Sequence, residues 1–210
     1  MTKSIFKLPK IENEPIKTYA PGSAERIELK AKLAEFKKVE LDIPMIIDGN
    51  EVRTDKLQDV RPPHDHQHLL GRYHQGGKEH VRMAIDAALK AKPAWENMNW
   101  ESRAAIFLKA ADLIAGPYRQ AINAATMLGQ SKNAFQSEID AACELVDFYR
   151  FNVRNMYDLY AMQPNSSVGI WNRMVWRPIE GFIFALSPFN FTAIAGNLPG
   201  APALMGNTVV

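Results

Sequence analysis

The sequence of 210 residues is 47% hydrophobic and has 25 basic and 23 acidic residues, for a formal net charge of +2. This length allows a substantial core in one or two domains, and the balanced charge gives no reason to expect nucleic acid or a membrane surface as a partner. The single cysteine excludes an intrachain disulfide and suits a reducing compartment. No stretch has enough consecutive apolar residues to span a bilayer.

The N-terminal region predicts an extended arm followed by a helix. Three prolines disfavour regular structure in the arm: Pro9, Pro15 and Pro21. Ser23 is a suitable N-cap, and Leu29, Leu33 and Phe36 then fall on one helical face. We therefore expect a helix that begins after Ser23 and packs its apolar stripe against the rest of the protein.

A hairpin and four helices are predicted next. Met45-Ile46-Ile47 reads as a strand, and the following Asp48-Gly49 favours a type I′ hairpin turn into Glu51-Val52-Arg53. Helical spacing of apolar residues then predicts four helices: one closed by Pro93, one capped by Asn99 and broken at Gly116-Pro117, one from Tyr118 to Gly129, and one from Ile139 towards Tyr160.

Three alternate histidines, His64, His66 and His68, follow a Pro-Pro pair. On a strand they would share one face, and imidazole is a good zinc ligand. No fourth ligand and no partner that would orient the imidazoles is evident in the sequence. We therefore favour a solvated loop here and assign no metal site.

The C-terminal stretch predicts a βαβ unit. Phe182 to Leu186 is a continuous apolar run, which is typical of a strand buried on both faces of a parallel sheet. Small apolar residues from Ala193 onward predict a helix packed on the sheet, and Thr208 to Val210 opens a second β-branched run. Ligands of such sheets bind at the carboxyl ends of the strands, where Ser187 to Phe191 lies.

Ser187-Pro188-Phe189-Asn190-Phe191 resembles the Pro-aromatic-Asn-Phe signature of the aldehyde dehydrogenase superfamily. The string that continues to Asn207 is similar to the Δ1-pyrroline-5-carboxylate dehydrogenase branch. Three further stretches fit the same branch: Phe107 to Asp112, Glu138 to Ala141, and Glu144-Leu145. The resemblance extends over most of the chain from about Glu14.

This resemblance implies an α/β fold of the aldehyde dehydrogenase type. It implies the start of an open, parallel, Rossmann-like sheet, preceded by a helical region and a β oligomerisation element, in a truncated chain. The expected divisions are an N-terminal arm and helix at 1–40, the helical part of the cofactor-binding domain at 41–163, the oligomerisation element at 164–178 with a strand at Ile170 to Arg177, and the first, incomplete βαβ unit of the NAD-binding domain at 179–210.

The resemblance also implies NAD-dependent oxidation of L-glutamate γ-semialdehyde to L-glutamate, in proline degradation. Members of the family use a thiolate that attacks the aldehyde, and the resulting oxyanion needs a preorganised donor. Carried over by motif, that donor is Asn190, and the residues expected to contact NAD are Leu186, Ser187, Pro188 and Phe189. Glu144 and Phe191 are expected to contact the substrate. From the residues alone, Asn190 also suits a helix N-cap, Glu144 a helix surface and Phe191 a core.

Cys143 lies on an amphipathic helical stripe, so we expect a small buried hydrophobe and not the nucleophile. The resemblance places the catalytic cysteine and the general-base glutamate beyond Val210, so we expect an N-terminal part of a longer enzyme that is inactive alone. The alternatives are a non-catalytic oligomerisation or interaction piece, and an enzyme for another semialdehyde. We expect a homo-oligomer in the cytoplasm, with the mitochondrial matrix as the alternative compartment.

Overall fold

The structure is a computed structural model that describes Leu8 and residues 10–210. The start of the predicted arm, including Pro9, lies outside the described residues. Residues 10–20 have no regular secondary structure, as predicted, and the first helix, α1, spans Ala24–Phe36. The hydroxyl of Ser23 accepts a hydrogen bond from the Arg26 backbone N–H, which confirms the predicted cap. Leu29 is buried against Tyr19 and Ala124, with Leu33 and Phe36 beside them.

Five short strands precede the helical region, where only the hairpin was predicted. That hairpin is confirmed: β2 (Met45–Ile47) pairs antiparallel with β3 (Asn50–Val52). Asp48 and Gly49 between them have φ angles of 51° and 74°, which is the combination that a type I′ turn requires. The unpredicted sheet has β5 (Gly71–His74) in its centre, parallel to β1 (Leu41–Ile43) and antiparallel to β4 (Leu57–Val60).

The predicted helices form, with one addition. The first three are α2 (Lys78–Glu96), α3 (Trp100–Ala115) and α4 (Arg119–Gln130). The fourth forms as a π-helix (Glu138–Glu144) that continues into α6 (Leu145–Ala161), and the addition is the short α5 (Ala134–Ser137). Asn99 caps α3 by accepting from the Ser102 N–H at 2.9 Å, and α3 ends at Gly116, as predicted.

The prediction that Pro93 closes α2 is wrong, because the helix continues to Glu96. A proline removes one N–H donor but leaves its own carbonyl free to accept. The Pro93 carbonyl accepts from the side-chain amide of Asn97 at 2.7 Å, and the indole N–H of Trp95 donates to the Ala203 carbonyl at 2.9 Å. These contacts hold the last turn in place.

The predicted strand at Ile170 to Arg177 is absent: the only bridge in this region joins Ser167 to Ile170. A strand needs a neighbouring strand for its backbone groups, and no second strand among the described residues pairs with this one. Side chains take that role instead. The amide of Gln163 exchanges two hydrogen bonds with the Met174 backbone, at 2.8 and 3.2 Å.

The C-terminal unit pairs in parallel, as predicted, but as a single bridge between Ile183 and Val209. The expectation of burial on both faces is wrong, since Phe184 and Leu186 remain 69% and 78% exposed. Among the described residues this run has one neighbour, so nothing covers its outer faces. The following helix, α7, spans Thr192–Leu204.

Helix α7, which follows the first strand of the parallel bridge in the chain, packs on helices α3 and α6. Leu204 is buried with Val153 and Met156 of α6 and Ala104 of α3 in the main apolar core. The small residues of α7 allow this close approach, because a side chain at Gly196 would collide with α6. No helix in the part of the chain that the structure describes is long and apolar enough to cross a membrane.

Gly196→Ala is expected to lower the free energy of unfolding by about 1–3 kcal/mol through overpacking. The added methyl group would lie 2.5 Å from Cδ1 of the buried Leu145 and 3.1 Å from the Tyr149 hydroxyl. The matched control is Gly129→Ala in α4, where no atom lies within 4 Å of an added Cβ. That change should raise stability by up to about 1 kcal/mol, from helix propensity. Chemical denaturation of both variants measures the difference, and equal effects would contradict the close packing of α7.

Candidate active site at the start of helix α7

The foundation of the candidate site is a buried ion pair between Arg119, the first residue of α4, and Glu138, the first residue of the π-helix. Nε of Arg119 lies 3.1 and 3.2 Å from the two carboxylate oxygens, and Glu138 is 0% exposed. The Tyr19 hydroxyl donates to the same carboxylate at 2.7 Å, and the Asn123 amide donates at 2.8 Å. Burial alone would raise the pKa of Glu138, but these donors hold it below its usual value.

The N-terminal arm is part of the same network. Arg119 also donates to Glu14 at 2.6 Å and to the Pro15 carbonyl at 2.8 Å. Arg150 of α6 donates to the other oxygen of Glu14 at 2.7 Å. The arm, α4, the π-helix and α6 are therefore joined through two arginines and two carboxylates.

Asn190 lies in the loop between the parallel bridge and α7, and its side chain does not cap the helix. The N-cap residue of α7 is Phe191, which makes no side-chain cap hydrogen bond. The N-cap interpretation of Asn190 is therefore wrong. Its side-chain amide makes no hydrogen bond with any residue that the structure describes, and the residue is exposed.

Asp140 of the π-helix caps α7, although it lies 52 residues before Thr192 in the sequence. Its two carboxylate oxygens accept from the backbone N–H groups of Thr192 and Ala193, at 3.1 and 3.2 Å. The hydroxyl of Thr192 is in turn 2.7 Å from that of Thr126 and accepts from Gln130 at 3.0 Å. The first turn of α7 is therefore fixed to the π-helix and to the end of α4.

Lys132 connects this cap to Asn190. Its ammonium donates to Asp140 and to the backbone carbonyl of Asn190, both at 2.7 Å. It also lies 4.5 Å from the centre of the Phe191 ring, within the range of a cation–π interaction. One ammonium group thus contacts both residues of the Asn-Phe pair and the carboxylate that caps the helix after them.

Glu144 lies within electrostatic range of the same group of charges. Partial burial raises its pKa, as does the nearby carboxylate of Asp140, while Lys132 opposes the shift. The structure therefore brings three predicted site residues, Glu144, Asn190 and Phe191, around Lys132. The others precede this cluster in the loop: Leu186, Ser187, Pro188 and Phe189 make no backbone hydrogen bonds with the described residues, and Phe189 is 93% exposed.

Comparison with known proteins places this arrangement in a family. The sequence model of the aldehyde dehydrogenase family matches residues 50–210, which include Arg119, the π-helix, Lys132 and the Asn190 loop but not the N-terminal arm. The chain belongs to the aldehyde dehydrogenase family. The loop from Leu186 to Phe191 follows the parallel bridge at its carboxyl end, which is the position predicted from the apolar run before it.

Similar proteins have names from one branch of the family. The chain is 56% identical over 207 residues to the Δ1-pyrroline-5-carboxylate dehydrogenase of Agaricus bisporus, covering 98% of this chain and 38% of that protein. It is 45% identical over 201 residues to the human mitochondrial enzyme of the same name, covering 96% of this chain and 36% of that protein. The chain therefore spans a little over a third of the length of these relatives.

A crystal structure of the Mycobacterium tuberculosis Δ-pyrroline-5-carboxylate dehydrogenase bound with NAD has a TM-score of 0.97 to this chain at 48% identity. The match covers 99% of this chain and 39% of that one. The aldehyde dehydrogenase fold predicted from the sequence is confirmed by this likeness.

Cys143 is unsuited to nucleophilic attack, as predicted. Its thiol is buried beside Glu138 and Arg119, and burial, together with the negative charge of Glu138, raises its pKa to about 12. The thiolate is the reactive form, so a thiol with this pKa is inert near neutral pH.

The alternate histidines do not gather around a common point. Nδ1 of His64 lies 2.7 Å from the Ser131 hydroxyl. Among the residues that the structure describes, no group of three or more histidine, cysteine or acidic side chains could hold a metal ion.

Asp140 and Lys132 were missed as site residues by sequence reasoning. Asp140 stands in the Glu138 to Ala141 stretch that carried the resemblance, but nothing in its local pattern indicates that it caps a helix 52 residues away. Lys132 follows the end of α4 as an ordinary lysine. Only the fold brings these two residues to the Asn190 loop.

Cys143 is expected to resist alkylation in the native protein at about pH 8. With a pKa of about 12, roughly one thiol in ten thousand is ionised at that pH, and the sulfur is also buried. Peptide mapping by mass spectrometry after iodoacetamide treatment measures the modification, with a sample in denaturant as the positive control. Rapid labelling of Cys143 in the native protein would contradict this assignment.

Proposed function

We propose that the chain contributes the oxyanion-binding amide and part of the substrate and cofactor sites to an NAD-dependent enzyme that oxidises L-glutamate γ-semialdehyde to L-glutamate. The observation that carries this proposal is the state of Asn190. Its carbonyl is fixed by Lys132, while its side-chain amide is unused by the described residues and free to donate. The names of the relatives support the choice of substrate.

The proposed role of Asn190 is to donate a hydrogen bond to the oxygen that becomes negatively charged when a nucleophile adds to the aldehyde carbon. A donor fixed in advance stabilises this charge without a reorganisation cost. Asn190 suits the task because it stands directly before a helix whose first turn is anchored by Asp140.

The loop before Asn190 fits NAD as a ligand. Leu186 and Phe189 expose apolar surface on which a flat ring can lie, and the backbone groups of residues 186–189 make no hydrogen bonds with the described residues. Ser187 and Pro188 complete this proposed contact. When bound, NAD supplies the acceptor for the hydride that leaves the substrate carbon, and the loop would hold the nicotinamide end near Asn190.

Glu144 is proposed to bind the ammonium group of the substrate, and Phe191 to line the substrate site. The Glu144 carboxylate makes no hydrogen bond with the described residues, so it is available to an external cation. An amino-acid semialdehyde carries such a cation and a simple aliphatic aldehyde does not. The charge therefore provides a basis for selecting between the two.

The remaining proposals concern assembly and compartment. Enzymes of this family act on aldehydes and are usually oligomeric, and we propose a homo-oligomer in which residues 164–178 contribute to subunit contacts. Val168, Trp171 and Val175 of that segment are each more than three-quarters exposed, which supports this role. We propose a cytoplasmic location, with the mitochondrial matrix as the alternative, since some of the relatives are named as mitochondrial.

The direct test is to purify the complete protein that contains this chain and to measure NADH formation with Δ1-pyrroline-5-carboxylate, which is in equilibrium with the semialdehyde. Succinate semialdehyde and propionaldehyde serve as comparison substrates. We expect the highest kcat/KM for the amino-acid semialdehyde. A preference for another aldehyde would replace the proposed substrate, and no turnover of any aldehyde would overturn the enzymatic proposal.

Asn190→Ala in the complete enzyme is expected to lower kcat by about 10²–10³, with little change in NAD affinity, because the donor acts on the transition state. Steady-state kinetics and a binding titration with NAD measure the two quantities. The control is Asn97→Ala, which removes an exposed amide at the end of α2. A kcat within about twofold of the unmodified enzyme would rule out the oxyanion role, since such a donor contributes far more.

Glu144→Gln is expected to raise KM for the amino-acid semialdehyde about tenfold or more, as the loss of one partner of a charge pair costs at least 1.4 kcal/mol. The KM for propionaldehyde should change little. The isosteric amide preserves the packing of the helix, and Asp158→Asn on the exposed side of α6 is the control. Equal effects on both substrates would exclude recognition of the ammonium group.

A further inference from the structure

We propose that Asp140, acting together with Lys132, is the positioning residue that sets the location of the Asn190 amide. This inference rests on the proposed function of Asn190 and assigns a role to two residues outside its loop. Asp140 does not contact the proposed reacting atoms. It acts through the backbone on which Asn190 stands.

The first contribution of Asp140 is to hold the start of α7. The first N–H groups of a helix have no partner within the helix and need one from elsewhere. Both oxygens of Asp140 accept from this first turn, from Thr192 at 3.1 Å and from Ala193 at 3.2 Å. The carboxylate is almost fully buried, so water does not compete for these bonds.

The second contribution passes through Lys132. Its ammonium is shared between Asp140 and the Asn190 carbonyl, at 2.7 Å from each. Lys132 therefore holds the backbone carbonyl of Asn190. Asp140 holds the backbone N–H groups of Thr192 and Ala193, which follow Asn190. These two contacts restrict the direction in which the Asn190 side chain leaves the chain.

The side chain of Asn190 does not cap α7, and this supports separate roles for Asp140 as the cap and for Asn190 as the donor. The side chain of an asparagine before a helix commonly accepts a hydrogen bond from a backbone N–H of the first turn. Here a remote carboxylate provides the cap, and the amide of Asn190 remains available. The π-helix thus supplies an interaction that leaves the local asparagine free for chemistry.

The expected effect of losing Asp140 is a misplaced donor. A displacement of about 1 Å at a reacting centre costs up to about 10²-fold in rate. We therefore expect Asp140→Ala to lower kcat by about 10- to 100-fold, with a smaller change in KM and in NAD affinity. Asp140→Asn keeps one accepting oxygen but loses the charge that holds Lys132, so a smaller loss is expected. Lys132→Met keeps the apolar stem beside Phe191 and removes the ammonium from both Asp140 and the Asn190 carbonyl, while the bonds of Asp140 to the first turn of α7 remain.

The experiment uses the complete enzyme and a double-mutant cycle. Asp140→Ala, Asp140→Asn and Lys132→Met are each measured alone and combined with Asn190→Ala. A positioning residue affects the rate only through the residue that it positions. Each Asp140 or Lys132 change should therefore lower kcat by less than about twofold when Asn190 is already alanine. Equal losses in both backgrounds would overturn the proposal.

The matched control is Asn99→Ala, which removes the cap of α3 and touches no part of the site. Loss of this cap should lower Tm comparably to Asp140→Asn and leave kcat unchanged. If Asn99→Ala lowered kcat as much as the Asp140 variants, the effect of Asp140 would be one of general stability, and the positioning role would be wrong.

Hydrogen exchange separates this proposal from the proposed function. Asp140→Asn should speed the exchange of peptides that contain residues 187–195, whereas Asn99→Ala should not. Faster exchange in an enzyme with no aldehyde activity would retain the anchoring by Asp140 and reject the proposed reaction. Unchanged exchange in an active enzyme would reject the anchoring and retain the reaction.

Discussion

The buried ion pair between Arg119 and Glu138 is the interaction on which the rest of the structure depends. A buried pair of this kind adds little net stability, since removing two charges from water costs about as much as their attraction returns. Its contribution is to the arrangement of the chain. Arg119 donates to Glu138, to Glu14 and to the Pro15 carbonyl, so this position of the arm against α4 satisfies its donors. Loss of either partner would leave a buried charge, at a cost of about 3–5 kcal/mol.

The same pair fixes the start of the π-helix, and this turn carries the candidate site. π-Helical turns are rare and occur mostly at functional positions, because their wider turn redirects side chains. Glu138 faces the arm, Asp140 faces the start of α7, and Glu144 lies near Lys132. Three carboxylates within seven residues thus have three separate roles. The ion pair holds the turn from which these directions follow.

Sequence reasoning succeeded at two helix caps and one turn, where the deciding interaction is local. Ser23 and Asn99 each cap a helix by accepting from a backbone N–H that lies three residues away, and Asp48-Gly49 determines its own turn. It failed where a distant partner decides. The strand predicted at Ile170 to Arg177 has suitable residues but no partner strand among the described residues, and strand formation depends on that partner.

In the candidate site too, the local sequence motif was predictable and the contacts with distant residues were not. The Asn190 loop was recognisable from its motif, whereas its supports come from 52 and 58 residues away, at Asp140 and Lys132. The buried bond between Tyr19 and Glu138 spans 119 residues. The π-helix itself leaves no mark on hydrophobic periodicity, because Ile139, Ala142 and Val146 also suit one face of an ordinary α-helix.

The charges around Asn190 provide a last constraint on what the site can bind. Asp140 already occupies N–H groups of the first turn of α7, so the helix terminus offers little to an anion, and the amide of Asn190 is the donor that we propose for a developing negative charge. Asp140 and Glu144 together outweigh the single ammonium of Lys132 by one negative charge. That excess suits the proposed substrate ammonium, and because the pKa of Glu144 is raised, acidification removes the excess at a higher pH than for an ordinary glutamate. In the proposed function, a neutral donor faces the reacting oxygen and a negative charge faces a substrate ammonium, which is the combination that an amino-acid semialdehyde requires.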